Sequence, residues 1–204
     1  DAVKFVEFFS SRNSVALNVC TQGRPSEKLK TALQNFSDGL MADKNPCVWQ
    51  IWLQQSRQSA ELFYPKQGTE LFYELSEFNI KMPYQPGDFT QVNDELNELM
   101  VARAVRLLDV QPGERIADLF CGLGNFSLPL ARAGATVIGI EGADYLVERA
   151  RKNAELNGLA TQIRFEVADL FDTDERAVAK WGKLDKMLLD PPRNGAYAVV
   201  QALH

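Results

Sequence analysis

The chain has 204 residues, 46% hydrophobic and 24% charged, with a formal net charge of -5, the composition of an ordinary globular protein rather than a disordered or fibrous one. No apolar run approaches the roughly 18 residues a membrane span needs, and no basic-then-apolar leader opens the chain, so no membrane partner and a cytoplasmic location are expected. The acidic balance argues against a generic polyanion binder, DNA included, because non-specific nucleic-acid affinity comes from Lys and Arg displacing counterions; a selective RNA enzyme stays open.

The first eighty residues read as a small α+β unit. Residues 3–9, 14–19 and 47–53 are short and rich in β-branched and aromatic side chains, which favours strands. Between them Leu29, Ala32, Leu33, Phe36 and Leu40 recur at helical spacing behind a Ser26 cap. Residues 61–64 and 70–75 flank Pro65-Lys66-Gln67-Gly68, the turn chemistry of a hairpin. Trp49, Trp52, Phe63, Tyr64, Phe72 and Tyr73 are expected to fill this unit's core rather than stack bases.

A boundary is expected near residue 80, giving domains 1–80 and 81–204. Met82-Pro83-Tyr84-Gln85-Pro86-Gly87 suits an extended connection. Asn93 then caps a helix in which Leu96, Leu99, Met100, Ala104, Leu107 and Leu108 form one stripe, ended by Pro112-Gly113. From there strand and helix alternate. Strands are expected at 115–120, 136–141, 163–167 and 186–190. Helices are expected at 127–133, from an Asp144 cap to Asn157-Gly158, and at 196–203. This βαβ order predicts a parallel sheet covered by helices on both faces, with ligands at the carboxyl ends of its strands.

Four segments follow those strand ends. Cys121-Gly122-Leu123-Gly124-Asn125 is a glycine turn that lets a ligand approach backbone N–H groups, with Ser127 where a dinucleotide fingerprint would place a third glycine. Glu141 lies about twenty residues on, the spacing of a ribose-binding acid. Asp169 ends the third strand and can accept from an adenine amino group. Asp190-Pro191-Pro192-Arg193 is stiff and poor in N–H donors. Together these fit an adenosyl cofactor better than a dinucleotide, the pattern of an S-adenosylmethionine-dependent methyltransferase.

At these residues the chain resembles a known family. Gln91-Val92-Asn93, Asp118-Leu119-Phe120-Cys121-Gly122-x-Gly124-Asn125-Phe126 and Leu189-Asp190-Pro191-Pro192-Arg193-x-Gly195 are similar to successive signatures of the RNA (uracil-5-)-methyltransferases. Gly139-Ile140-Glu141-Gly142 and Asn153-Ala154-x-Leu156-Asn157-Gly158-Leu159 resemble the bacterial 23S rRNA branch. The resemblance covers residues 81–202 and is vague before them. It implies a Rossmann-like domain, partial in this chain, that binds S-adenosyl-L-methionine through Gln91, Phe120, Gly122, Gly124, Asn125, Glu141, Asp169 and Asp190, with 23S rRNA as substrate.

In that family a cysteine thiolate adds to carbon 6 of uracil, carbon 5 takes the methyl group from the sulfonium, and a carboxylate removes the carbon 5 proton as the cysteine leaves. The resemblance places that cysteine, in an S-C-N-P segment, and that base beyond residue 204, so no catalytic residue is expected here, and the fragment alone is expected to bind cofactor without turnover. It also implies a 4Fe-4S cluster in full-length members, with ligands absent from this chain. Cys20 and Cys47 are expected in the core and Cys121 as a packed thiol; no C-x-x-C pair occurs and no metal site is expected. The first residue, Asp1, and the apolar end before His204, the single histidine, suggest a piece of a longer protein, and His204 is expected to have no role. Two other readings stay open: an RNA methyltransferase acting on cytosine or an exocyclic amine, against which Arg193 stands where an aromatic would stack the base, and a non-catalytic RNA-binding module.

Overall fold

A computed structural model describes residues 3–11, 14–42, 47–56 and 59–203, with backbone alone at 40–42. His204 lies outside the described residues, as does the Leu40 side chain. Contacts divide the chain into two units, Asp1–Tyr73 with Pro83–Asp88, and Glu74–Met82 with Phe89–His204. Among the described residues no helix is long and apolar enough to cross a membrane.

The first unit is built on a mixed sheet in the order β1 (Val3–Ser11), β2 (Ser14–Thr21), β3 (Val48–Gln55), β4 (Glu61–Tyr64). The helix α1 (Glu27–Ala42) crosses between the parallel pair β2 and β3, and the Leu29 N–H donates to Ser26 Oγ at 3.2 Å, as a capping serine allows. Leu17, Val19 and Ile51 form the core, with Leu33, Leu53, Phe63 and Tyr64 packed against it. Leu29 and Leu33 are half-buried, but Ala32 and Phe36 are exposed. The inward face therefore runs through Leu29, Leu33 and the buried Ser37, four residues apart, rather than along the full apolar series.

The expected hairpin across Pro65–Gly68 does not form. β4 pairs antiparallel with β3, Trp52 opposite Leu62, whereas β5 (Leu71–Leu75) pairs with β6 (Ile80–Tyr84). Asn79 in the left-handed region closes the tighter β5–β6 turn, which a short asparagine side chain tolerates. Residues 80–84 are thus strand rather than connection, and Pro83 is accommodated because the sheet has only two strands. Cys20 is buried, as expected of a core residue, but Cys47 is only half-buried.

The second unit is a Rossmann-like α/β domain. Its parallel sheet has the order β10 (Lys186–Leu189), β7 (Arg115–Leu119), β8 (Thr136–Glu141), β9 (Ile163–Val167). The chain steps from β7 to β8 to β9 in one direction and returns to β7's other side with β10, so a switch point lies between β7 and β10. Helices α2 (Asp94–Leu108), α3 (Ser127–Arg132), α4 (Asp144–Leu156), α5 (Glu175–Lys180) and α6 (Tyr197–Ala202) complete it. One face of the sheet buries Ala117, Leu119, Ile138 and Ile140 with Leu170, Trp181 and Val199.

Three details depart from the sequence reading. On α2, Asn93 caps as expected, accepting from the Leu96 N–H, but Leu96, Leu99 and Leu107 are exposed and the buried residues are Asn97, Val101, Ala102 and Val105. The inward face follows Asn97, whose polar partner lies inside. Asp144 is the first residue of α4, with Ala143 at the cap and no side-chain cap bond. The helix α5, capped by Asp174, has two alanines and one valine as its apolar residues, too few to leave a periodic signal.

Candidate functional site

The register of the parallel sheet brings the site together. Leu119 lies beside Leu189 on one flank and Ile140 on the other, and Glu141 lies beside Val167. Phe120, Glu141, Asp169 and Asp190 therefore leave the carboxyl ends of four neighbouring strands at nearly one level, next to the switch point.

The turn after β7 reverses the chain within a few residues. Phe120, Gly122 and Gly124 all have positive φ, at 64°, 52° and 91°, and a side chain at Gly124 would also collide with Leu128 Cδ1, 2.5 Å from an ideal Cβ. Nothing lies within 4 Å of an ideal Cβ at Gly122, so space is open above its backbone. The turn is pinned from three sides. The Cys121 N–H donates to Ile140 O at 3.1 Å, Asn153 Nδ2 on α4 donates to Leu123 O at 3.2 Å, and the Gly124 N–H donates to Cys121 O at 2.8 Å.

Glu141 spans the gap between two loops. Its Oε2 accepts the Gly122 N–H at 3.1 Å and its Oε1 accepts the Ala143 N–H at 3.0 Å. Each oxygen retains acceptor capacity, since a carboxylate offers about four lone-pair sites. Asp169 is exposed; its Oδ1 accepts the Phe171 N–H at 2.8 Å, which turns the loop so that Phe171 packs on Phe120 with ring centroids 5.5 Å apart. Asp190 is exposed at its outer edge, and partial burial still holds its carboxyl above the usual range. Asn125 is half-buried and paired with Asn97 on α2 by two hydrogen bonds, Asn97 Nδ2 to Asn125 Oδ1 at 3.0 Å and Asn125 Nδ2 to Asn97 Oδ1 at 2.9 Å. Gln91 is half-buried two residues before the α2 cap, and the helix rather than a direct hydrogen bond ties it to the turn among the described residues.

The sequence places Asp118 at the head of the glycine-turn motif without giving it a role of its own. Its side chain is fully buried on β7, Oδ2 accepts from Ser127 Oγ at 2.5 Å, and Oδ1 is buried without a hydrogen-bond partner. Burial pushes its carboxyl up to about 7; the Ser127 hydrogen bond opposes this, and the charges of Asp190 and Glu141 add to it. An aspartate flanked by Ile116, Ala117 and Leu119 near the end of a strand is the available signal. Cys121 is buried as a packed thiol, and burial raises it well above its ordinary range, with Asp118 and Glu141 adding, so it carries no thiolate at neutral pH. Among the described residues no three His, Cys, Asp or Glu side chains group so as to hold a metal ion.

This arrangement is electronegative, open above the glycine turn and rich in acceptors at the level where a ribose would lie. Residues 6–200 match the family model for tRNA (uracil-5-)-methyltransferase. The chain is 50% identical over 201 residues, 98% of its length, to a 23S rRNA (uracil(1939)-C(5))-methyltransferase RlmD of Neisseria lactamica, and covers 44% of that protein. It is 56% identical over 155 residues to the protein of the same name in Aromatoleum aromaticum, covering 76% of this chain and 36% of that one. The chain thus spans less than half the length of these curated relatives. Among solved structures, the Pyrococcus abyssi tRNA (uracil-54, C5)-methyltransferase in complex with S-adenosyl-L-homocysteine superposes with a TM-score of 0.64 at 23% identity, over 93% of this chain and 43% of that one. The M. jannaschii tRNA m1G37 methyltransferase superposes with a TM-score of 0.62 at 17% identity, over 97% of this chain and 55% of that one; both likenesses establish the fold. On the family match, the chain belongs to the tRNA (uracil-5-)-methyltransferase family.

Proposed function

We propose that this chain is the cofactor-binding portion of an enzyme that methylates carbon 5 of a uracil in 23S rRNA, with S-adenosyl-L-methionine as donor. The observation that carries the reading is Glu141. Its two oxygens are held by the Gly122 and Ala143 N–H groups with capacity to spare, beside the open backbone of a glycine turn. Such a carboxylate accepts both hydroxyls of a ribose, while Gly122 lets the nucleoside approach the main chain. Phe120 offers an aromatic face, Asp169 an acceptor for an adenine amino group, and Asn125 and Gln91 amide donors and acceptors toward the methionine portion.

Charge fits the same donor. The charges of Glu141 and Asp190 both act on Asp118, and a ligand bearing a sulfonium and an ammonium relieves that repulsion, whereas a dinucleotide pyrophosphate would worsen it. When bound, S-adenosyl-L-methionine supplies an electrophilic methyl group. The residues of this chain bind and orient it, with the rigid turn at Asp190-Pro191-Pro192 marking the edge of the acceptor side. The relatives' names support 23S rRNA as the substrate. The uracil adduct with a cysteine thiolate, expected from the family resemblance, draws on no residue described in this chain, so we assign it cofactor binding alone. We place the RNA-facing role in residues 1–80 and the protein in the cytoplasm.

Calorimetric titration with S-adenosyl-L-methionine tests the proposal. Saturable one-to-one binding is expected, weakened at least tenfold by Glu141→Gln and by Asp190→Ala in protein that stays folded. Folded protein that binds RNA without this cofactor would replace the proposal with a non-catalytic RNA-binding module.

A further inference from the structure

We infer that Asn97 is a positioning residue of the cofactor site, acting through Asn125; the inference rests on the cofactor reading above. Asn97 is only 3% exposed and sits on the inward face of α2 with Val101, Ala102 and Val105, the single polar side chain among that helix's buried residues. A buried amide in apolar company is costly unless its hydrogen bonds are made. Asn97 makes them with one partner, exchanging Nδ2 to Oδ1 bonds with Asn125 at 3.0 and 2.9 Å.

That reciprocal pair restricts Asn125 in a way packing alone does not. An amide has two N–H donors and two acceptor lone pairs. The pair takes one of each from Asn125 and so fixes the plane of its amide. If Asn125 rotated by half a turn on its own, it would set N–H against N–H and oxygen against oxygen, so the two amides turn together or not at all. The pair therefore holds this side chain of the glycine turn in one plane toward the ligand. The entropy of ordering it is spent in folding rather than in binding.

The same contact reaches the other end of the site. Asn97 lies one turn into α2, four residues after the Asn93 cap, whose carbonyl accepts the Asn97 N–H at 2.9 Å. Docking Asn97 on Asn125 therefore also fixes where α2 begins, and with it the Gln91 segment just upstream. Asn97 itself need not touch the cofactor.

A double-mutant cycle on cofactor affinity in the full-length protein separates positioning from general support. With S-adenosyl-L-homocysteine as probe, Asn97→Ala is expected to weaken binding about five- to tenfold, because both bonds that orient Asn125 are lost. In an Asn125→Ala background the same substitution is expected to change affinity less than about twofold. Asn97→Asp keeps the size but sets a carboxylate oxygen against Asn125 Oδ1, and is expected to weaken binding as much as Asn97→Ala; it serves in the cycle if the alanine variant fails to fold. Additive losses, or full affinity in a folded Asn97→Asp protein, would overturn the inference. Absence of binding by folded wild-type protein would overturn the cofactor reading itself, and this inference with it.

Discussion

The two units treat polar side chains in opposite ways. In the first, they lie in mid-strand and face one another. Asn18, fully buried on β2, donates through Nδ2 to Glu7 Oε2 and to Gln54 Oε1, each at 2.9 Å, and Gln50 on β3 donates to Thr69 O at 2.8 Å. In the second, Asp118 within β7 apart, the acids of the candidate site collect where strands end, at Glu141, Asp169 and Asp190, and keep acceptors to spare. The Asn18 network directs its donors to partners on its own sheet and so fixes register. Polar groups at the carboxyl ends of parallel strands stand beside loops, where a ligand can complete them. Polarity alone does not mark a site; position along the strand does.

The strongest way to break this contrast is to fill the turn. Gly124→Ala adds a Cβ at a positive φ and against buried Leu128, and about 3 kcal/mol or more of destabilisation is expected from strain and overpacking together. Urea unfolding measures it, and cofactor binding is expected to be lost with it. Asn18→Leu strikes the other network and is expected to cost about 1–3 kcal/mol by removing a donor from Glu7 and Gln54, while leaving cofactor affinity unchanged. A change in affinity there would erase the distinction drawn between the units.

Asp118 gives a pH signature. Its carboxyl is pushed up to about 7 in the folded protein, from an ordinary 3.8. The folded state therefore holds a proton that the unfolded state has released across that window, and stability falls as pH rises from about 4 toward 7, by at most about 1.4 kcal/mol per pH unit. Below the window both states are protonated and no penalty remains. Asp118→Asn is expected to flatten this part of a plot of melting temperature against pH. The smallest effect is expected at the exposed Arg106 to Glu77 pair, 3.0 Å apart, where a double-mutant cycle should return less than about 1 kcal/mol.

Much of the second unit was legible in the sequence because its signals are local. A strand, a glycine turn, a helix and an acid at the next strand end each occupy a short window, and the parallel order follows from their alternation. The α2 face was not legible, because its leucines mark a stripe that stays exposed while Asn97 turns inward toward a residue 28 positions away. Pairing of β4 was misread for the same reason. Pro65 and Gly68 announce a turn, but the partner of residues 61–64 is the preceding strand β3. Asp118 carried a signal, an acid inside an apolar strand, whose meaning depends on Ser127 and on burial that only the fold reveals.

Phe165 draws two distant glycines into one constraint. Its buried ring on β9 lies 2.6 Å from where a Cβ of Gly139 would stand and 3.4 Å from that of Gly124. Gly139 is not held by its backbone angle; the ring, together with Cys121 Sγ at 3.1 Å, forbids a larger residue there. The three positions should therefore drift together over evolutionary time. Lineages that trim the ring at 165 remove the tightest obstacle to alanine at 139 and leave Cys121 as the remaining one, whereas Gly124, fixed also by Leu128 and by its φ of 91°, stays behind.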